Sequence, residues 1–182
     1  RVHLHTCLEE KGGAARVAAL VRQGLGREIR FTHSFEFADG PGEPEAQAPG
    51  PPGAAQVEAA RTEAPASAGR KTSPPAAKQP VDPGELARRV PKGAVLHVHG
   101  TRDWLALLAG LLPARRKGLP LLITAHDAGL ITGGCPYPLD CKGLALGCPD
   151  PCPRGFPDCG RQRAERMGLI AALSPVLVSP SR

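Results

Sequence analysis

The sequence predicts an α/β fold in which a mostly parallel sheet carries helices on both faces. Short β-rich runs alternate with segments whose apolar residues recur at helical spacing, and strands separated by helices pair in parallel. Residues 119–125 are nearly all apolar, as expected for a strand that is covered on both faces. With four Phe, one Trp and one Tyr in 182 residues, the core must be built mainly from Leu, Val, Ile and Ala.

The first predicted elements are two strands and the helix between them. Residues 2–5 form a short β-rich run, and apolar residues at helical spacing predict a helix over residues 14–25. Residues 28–34 alternate between apolar and polar side chains, which predicts the second strand.

A different composition begins at residue 39. Residues 39–84 consist largely of Pro, Gly, Ala, Ser and isolated charges. A segment of this kind cannot bury enough apolar surface to offset the entropy lost on ordering it. We therefore predict a disordered insertion over residues 39–84.

The alternating pattern resumes after the insertion. The predicted elements are a short helix (85–90), a strand (94–99), a helix (103–112), a strand (119–125), a helix (161–173) and a strand (176–179). A Cys-rich loop occupies residues 132–160. Residues 1–182 are thus predicted to form one domain. Because Ser181 would cap a further helix, this domain is expected to belong to a longer protein.

Charge and hydropathy narrow the classes of partner. The formal net charge of +6 favours anionic partners but does not choose among nucleotides, nucleic acid and a membrane surface. The longest apolar run, residues 104–113, is too short to span a bilayer. No signal segment with a charged and then an apolar part precedes the first strand, so a cytoplasmic location is predicted.

A glycine-containing loop joins the first predicted strand to the first helix. Gly12 and Gly13 let the backbone approach a ligand closely, and the free amides of a helix start favour an anion. The loop matches neither the G-x-G-x-x-G dinucleotide fingerprint nor the G-x-x-x-x-G-K-[ST] phosphate loop. A tight strand-to-helix turn explains these residues equally well, so both interpretations stay open.

Histidines lie in or at the ends of the predicted strands. His126 and Asp127 follow the apolar strand at residues 119–125, where open α/β sheets place ligand-binding groups, so they are the first catalytic candidates. His97 and His99 point to the same side of their strand. We predict that His97 is packed and that His99 lies at the edge of the cleft.

The His97-x-His99 spacing also occurs at the start of metal-dependent amidohydrolases, which gives a second interpretation. Such an enzyme needs further His and Asp ligands on later barrel strands, and only His126 and Asp127 are available. The predicted strands are also too few to close an eight-stranded barrel. The hydrolase is therefore the weaker alternative.

Five cysteines lie in the Cys-rich loop with the spacing C-x5-C-x6-C-x3-C-x6-C. Cytoplasmic proteins seldom keep structural disulfides, and four thiolates around a tetrahedral zinc would stabilise a loop rich in Gly and Pro. The predicted zinc ligands are Cys135, Cys141, Cys148 and Cys152, with Cys159 as a substitute. Reduced free thiols are the alternative interpretation, and the spacing matches no iron–sulfur pattern.

Several segments together resemble the N-terminal domain of retaining GT-B glycosyltransferases of family 4, also called group 1. They are G-G-A-A-R-V-A at residues 12–18, V-L-H-V-H-G at 95–100, T-A-H-D at 124–127 running into T-G-G-C-P-Y at 132–137, and V-S-P-S-R at 178–182. The third segment continues through D-C at 140–141 and G-C-P-D-P-C-P at 147–153, and one branch of the family carries a very similar series.

The resemblance implies a Rossmann-like sheet and an enzyme that transfers a sugar from a nucleotide-sugar to a glycan or lipid-linked acceptor with retention of configuration. Gly12 and Gly13 would then lie near the donor pyrophosphate, and His99 would contact substrate at the cleft edge. His126 would face the transferred sugar, and Asp127 would orient His126 or bind a sugar hydroxyl. The implied partners are donor, acceptor, a C-terminal GT-B domain and, peripherally, the inner membrane face; no catalytic metal and no nucleic acid are implied.

Two departures from the family pattern matter. Three residues separate Cys148 from Cys152 where the family usually has two. Nothing in the 182 residues resembles the C-terminal domain with its E-x7-E motif, which holds most of the sugar-nucleotide in this family. A non-catalytic, zinc-stapled binding domain therefore stays open beside the glycosyltransferase and the His-x-His hydrolase.

Overall fold

Five strands and three α-helices alternate along the chain in the computed structural model, which describes residues 1–38 and 80–179. The strands are β1 (Val2–Leu8), β2 (Phe31–Phe37), β3 (Val95–Val98), β4 (Leu121–Thr124) and β5 (Val176–Val178). The helices are α1 (Gly12–Leu25), α2 (Trp104–Arg116) and α3 (Cys159–Leu173). All strands pair in parallel in the order β2-β1-β3-β4-β5, which confirms the predicted α/β, Rossmann-like fold.

The larger apolar core lies on one face of this sheet. Alternate residues of β3 and β4 point into it, because successive side chains of a strand face opposite sides. Helices α2 and α3 cover this face, together with a short 3-10 helix at Pro83–Arg88. The buried side chains of the core include Leu86, Leu96, Val98, Leu107, Leu108, Leu111, Ile123 and Leu173.

The opposite face of β1 is covered by α1. This helix buries two small residues, Ala15 and Ala18, which let it lie close to the sheet. Leu4 pairs in register with His97, so both lie on the α1 face while the neighbouring Leu96 and Val98 point to the larger core. The side chains of His97 and His99 are therefore on the α1 face of β3.

The second strand begins later than its sequence pattern predicts. The pattern placed it at residues 28–34, whereas β2 runs over Phe31–Phe37. The amides of Glu28 and Ile29 both donate hydrogen bonds to the carbonyl oxygen of Leu25, at 3.1 and 2.8 Å. These bonds close the end of α1, so the strand starts only after them. The shift brings Glu36 into the strand.

The predicted insertion falls mainly on residues 39–79, which lie outside the described residues, as does the predicted cap at Ser181. Its predicted boundary at residue 84 is too late. The amide of Val81 donates to the carbonyl oxygen of Phe35 at 2.8 Å, and the Val81 side chain belongs to the larger core. The Asp82 carboxylate accepts from the amide of Gly84 at 2.9 Å and caps the 3-10 helix.

None of the helices in the described parts of the chain is both long enough and apolar enough to cross a membrane.

Close contact between α2 and the 3-10 helix predicts the effect of a single methyl group. A Cβ at Gly110 would lie 2.2 Å from the carbonyl oxygen of Gly84. We expect Gly110→Ala to lower the free energy of unfolding by about 1–3 kcal/mol, because one helix must shift. Gly168→Ala in α3 is the matched control, since a Cβ there meets nothing within 4 Å. It should raise stability by about 0.5–1 kcal/mol through helix propensity.

Urea unfolding of both variants followed by circular dichroism measures this difference. Equal effects of the two substitutions would contradict the packing of α2 described above.

Candidate functional site

The carboxyl ends of β3 and β4 bring two of the predicted site residues together. His99 directly follows β3 and His126 follows β4, and neighbouring parallel strands end at the same edge of the sheet. The Nδ1 atom of His99 lies 3.2 Å from the Nε2 atom of His126, within hydrogen-bonding distance. His99 is only 1% exposed, whereas His126 is partly exposed, so His126 is the member of the pair that a ligand can reach.

A third histidine extends the pair along the sheet. The ring centroids of His97 and His99 are 4.0 Å apart, and those of His99 and His126 are 5.4 Å apart. The Nε2 atom of His97 hydrogen-bonds the hydroxyl of Thr124 at 2.8 Å. His97 is thus buried with a protein partner, as the sequence predicted for it.

Burial keeps these imidazoles uncharged. Burial, with a smaller contribution from the neighbouring histidines, lowers the pKa of His97 to about 4 and that of His99 to about 3. Burial also lowers the pKa of His126, although the adjacent Asp127 carboxylate acts in the opposite direction. At neutral pH one ring of the His99–His126 pair therefore donates a hydrogen bond to the other. The buried Nε2 atom of His99 has no hydrogen-bond partner among the described residues.

Asp127 has a structural partner in the loop after β4. Its carboxylate accepts a hydrogen bond from the amide of Gly129 at 2.7 Å and so caps a 3-10 helix at Ala128–Leu130. The Asp127 side chain is exposed. The structure therefore gives Asp127 a capping role and an electrostatic effect on His126.

The glycine loop lies at the same edge of the sheet. Helix α1 starts at Gly12, whose φ of +84° is one that glycine adopts readily, and no side chain caps the helix at Lys11. A Cβ at Gly13 would meet nothing within 4 Å, so the space beside this first turn is open. A Cβ at Gly100, the residue after His99, would lie 3.8 Å from the Cβ of Ala14. The loop after β3 therefore contacts the first turn of α1.

A buried carboxylate that the sequence did not single out holds the loop after β3. The side chain of Glu36 is fully buried, and its oxygens accept hydrogen bonds from the hydroxyl of Thr101 and, at 2.9 Å, from the amide of Arg102. His5 approaches the same carboxylate at 3.2 Å. The Arg102 guanidinium also pairs with the Asp82 carboxylate at 3.2 Å. The alternation of polar and apolar residues continues beyond residue 34, and extending the predicted strand along it would include Glu36.

The loop after His126 is fastened to α3. The buried guanidinium of Arg166 donates hydrogen bonds to the carbonyl oxygens of Gly129 and Thr132, both at 2.8 Å. A Cβ at Gly133 would lie 2.1 Å from the carbonyl oxygen of Cys159, so only glycine fits there. Sequence reasoning missed Arg166, because nothing in the sequence of α3 distinguishes it from the exposed arginines nearby.

The Cys-rich loop encloses a cavity. Its lining includes all five cysteines of the loop: Cys135, Cys141, Cys148, Cys152 and Cys159. None of these thiols forms a disulfide. Within residues 1–38 and 80–179, no three His, Cys, Asp or Glu side chains are gathered closely enough to hold a metal ion as they stand. Zinc at Cys135, Cys141, Cys148 and Cys152 stays a prediction.

Comparison of the chain with protein-family models, with curated proteins and with solved structures finds no match.

Neutral buried histidines make stability depend on pH. The pKa values of His3 and His97 are lowered to about 4 and that of His99 to about 3, whereas in the unfolded chain each histidine takes up a proton at about pH 6.5. Between these values the unfolded state binds more protons, so the free energy of unfolding falls as the pH falls. We expect each group to contribute on the order of 1–2 kcal/mol of this loss at about pH 5.

Urea unfolding at about pH 7.5 and about pH 5 measures the total. His97→Gln keeps a hydrogen-bonding amide near Thr124 but does not titrate, so it should lose less stability on acidification than the wild type. An identical pH dependence in both proteins would contradict the neutral state of His97.

Proposed function

We propose that the chain is the N-terminal, acceptor-side domain of a retaining GT-B glycosyltransferase that transfers a sugar from a nucleotide-sugar to a glycan or lipid-linked acceptor. The observation that carries the proposal is the partly exposed His126, hydrogen-bonded to the buried His99 at the sheet edge. The start of α1 contacts the loop that follows His99. This proximity supplies an anion-binding group next to neutral groups that hydrogen-bond hydroxyls.

The start of α1 suits the pyrophosphate of a nucleotide-sugar. The amides that begin a helix and the helix dipole make this end electropositive, and the first turn carries no acidic residue that would repel phosphate. The glycines at positions 12 and 13 leave the backbone accessible, because no side chain stands between it and a ligand. We assign Gly12 and Gly13 to the donor.

The neutral His99–His126 pair suits the sugar. A neutral imidazole both donates and accepts a hydrogen bond, as a sugar hydroxyl does. His126, fixed from below by His99, would hold the transferred sugar or the attacking acceptor while positive charge develops at the reacting carbon. The acceptor proton would pass to the leaving phosphate, so the reaction needs no paired carboxylates and no catalytic metal.

The proposal includes a partner domain. In a GT-B enzyme the donor lies between two domains, so a C-terminal domain would bind most of the nucleotide. A lipid-linked acceptor would bring the enzyme to the inner membrane face as a peripheral, cytoplasmic protein. Nucleic acid is not among the proposed partners.

Two alternatives differ in what they require. A non-catalytic binding domain would use the same sheet edge without turnover. The His-x-His hydrolase requires a metal at His97 and His99, but the described strands form an open sheet and the Nε2 atom of His97 is taken by Thr124. The geometry therefore favours the glycosyltransferase over the hydrolase.

A pair of substitutions tests the assigned role of His126. In the full-length enzyme, His126→Ala should lower kcat for sugar transfer by roughly a hundredfold or more, the range typical of a group acting on the transition state. Asp127→Asn is the matched control, because an Asn oxygen can still accept from the Gly129 amide. It should retain most activity and the same urea midpoint. Near-wild-type turnover by His126→Ala would refute the role.

A charge placed at the start of α1 tests the donor site. The Asp side chain of Gly13→Asp fits the open space there. It should not destabilise the helix, because a negative charge near the N-terminus of a helix interacts favourably with the helix dipole. It should raise the KM for the nucleotide-sugar about tenfold by repelling the pyrophosphate. Gly24→Asp, near the other end of α1, adds the same charge in equally open space and should leave KM unchanged. Equal KM values for the two variants would place the donor elsewhere.

A further inference from the structure

Between residues 131 and 158 the Cys-rich loop consists of turns and bends. No helix or strand lies between the 3-10 helix that ends at Leu130 and α3, which begins at Cys159. Its prolines and glycines form successive turns, and the cavity at their centre is lined by sulfur atoms and apolar groups. Small segments without their own apolar core are commonly stabilised by disulfides or a metal ion. The free thiols leave the metal as the candidate.

Cys152 lies in a turn in which one backbone amide donates to its sulfur. The amide of Arg154 donates to the Cys152 Sγ atom at 3.4 Å, and the amide of Gly155 donates to the Cys152 carbonyl oxygen at 2.9 Å. An amide that donates to a sulfur in this way can orient that sulfur when it binds a metal ion.

Cys159 meets Cys152 across the cavity. It is the first residue of α3, and its thiol interacts with that of Cys152. The Cys159 Sγ atom also lies 3.1 Å from the carbonyl oxygen of Cys148. The Asp150 carboxylate fixes the backbone here by accepting from the Cys159 amide at 2.7 Å. The thiols of Cys152 and Cys159 thus lie close to each other, and the backbone of Cys148 lies beside Cys159.

Cys141 approaches the same group from the other side. A Cβ at Gly143 would lie 3.5 Å from the Cys141 Sγ atom and 3.4 Å from the rings of both Pro149 and Pro153. The amide of Cys148 donates to the carbonyl oxygen of Gly143 at 2.7 Å. The turn at Gly143 therefore packs the Cys141 sulfur against the segment that carries Cys148 and Cys152.

We propose that Cys141, Cys148, Cys152 and Cys159 bind one zinc-type divalent ion through four thiolates. The spacing C-x6-C-x3-C-x6-C uses Cys159 where the sequence favoured Cys135. Cys135 lies in the neighbouring turn. The residue before it, Gly134, faces the ring of Phe156, which would lie 3.4 Å from a Cβ at Gly134. The proposal is independent of glycosyl transfer.

Binding changes both geometry and charge. The four side chains must converge on the ion, because no three of them surround a common point as they stand. Each thiol releases its proton when its sulfur bonds to the metal, so the filled site carries two net negative charges. The positive charge of Arg163 lies beside the site and would offset part of this charge. Its Nη1 atom packs against Gly147, the residue before Cys148, at 3.2 Å from where a Cβ of residue 147 would stand.

Metal analysis of the reduced chain tests the proposal. The chain, incubated with excess zinc and then desalted, should retain one equivalent per molecule. Cobalt substituted for zinc should show the strong thiolate charge-transfer absorption of a tetrahedral sulfur site. Cys159→Ser should weaken binding by at least the roughly 10–100-fold typical of losing an outer-shell partner, and Cys141→Ser, at a less buried position, should do the same.

Two variants serve as matched controls. Cys135 lines the same cavity and Cys7 lies on β1. The variants Cys135→Ser and Cys7→Ser should both keep one equivalent of zinc. Absence of retained zinc and of the cobalt absorption in the wild type would overturn the proposal. Loss of zinc in Cys135→Ser with retention in Cys159→Ser would also overturn it, as would a Cys152–Cys159 disulfide in freshly isolated protein.

Discussion

The packing of the loop after β4 against α3 is the contact on which both the candidate active site and the cysteine cavity depend. Gly133 lies so close to the backbone of Cys159 that no larger residue fits. Arg166 reinforces this contact with hydrogen bonds to two carbonyl oxygens of the loop. Because His126 precedes the contact and the cysteines follow it, a displacement of α3 would move both groups at once.

Much of the fold could be predicted because its signals are local. The apolar run that became β4 and the helical spacing of α1 are visible in a few consecutive residues. The start of β2 was misplaced by three residues, since the amides of Glu28 and Ile29 are taken by the end of α1 and alternation cannot reveal that. Val81 was assigned to the insertion because its burial depends on strands far away in sequence.

The site was less predictable where it depends on buried charges. The closeness of His99 and His126 follows from adjacent parallel strands, which the sequence does indicate. Glu36 and Arg166 look like ordinary surface charges in the sequence. Each is buried because partners from distant segments satisfy it: residues 101 and 102 for Glu36, and the loop after β4 for Arg166. Charge type alone does not reveal such partners.

The protonation state of the histidines connects the two halves of the proposed site. His126 is neutral in the free protein because burial lowers its pKa, and the start of α1 adds a positive potential nearby. A pyrophosphate bound there would reverse the sign of that potential. Since a negative charge favours the protonated imidazole, donor binding would raise the pKa of His126 again. Burial opposes that rise, so the neutral His126 that the proposed hydrogen bond to a sugar hydroxyl requires depends on the burial of its ring.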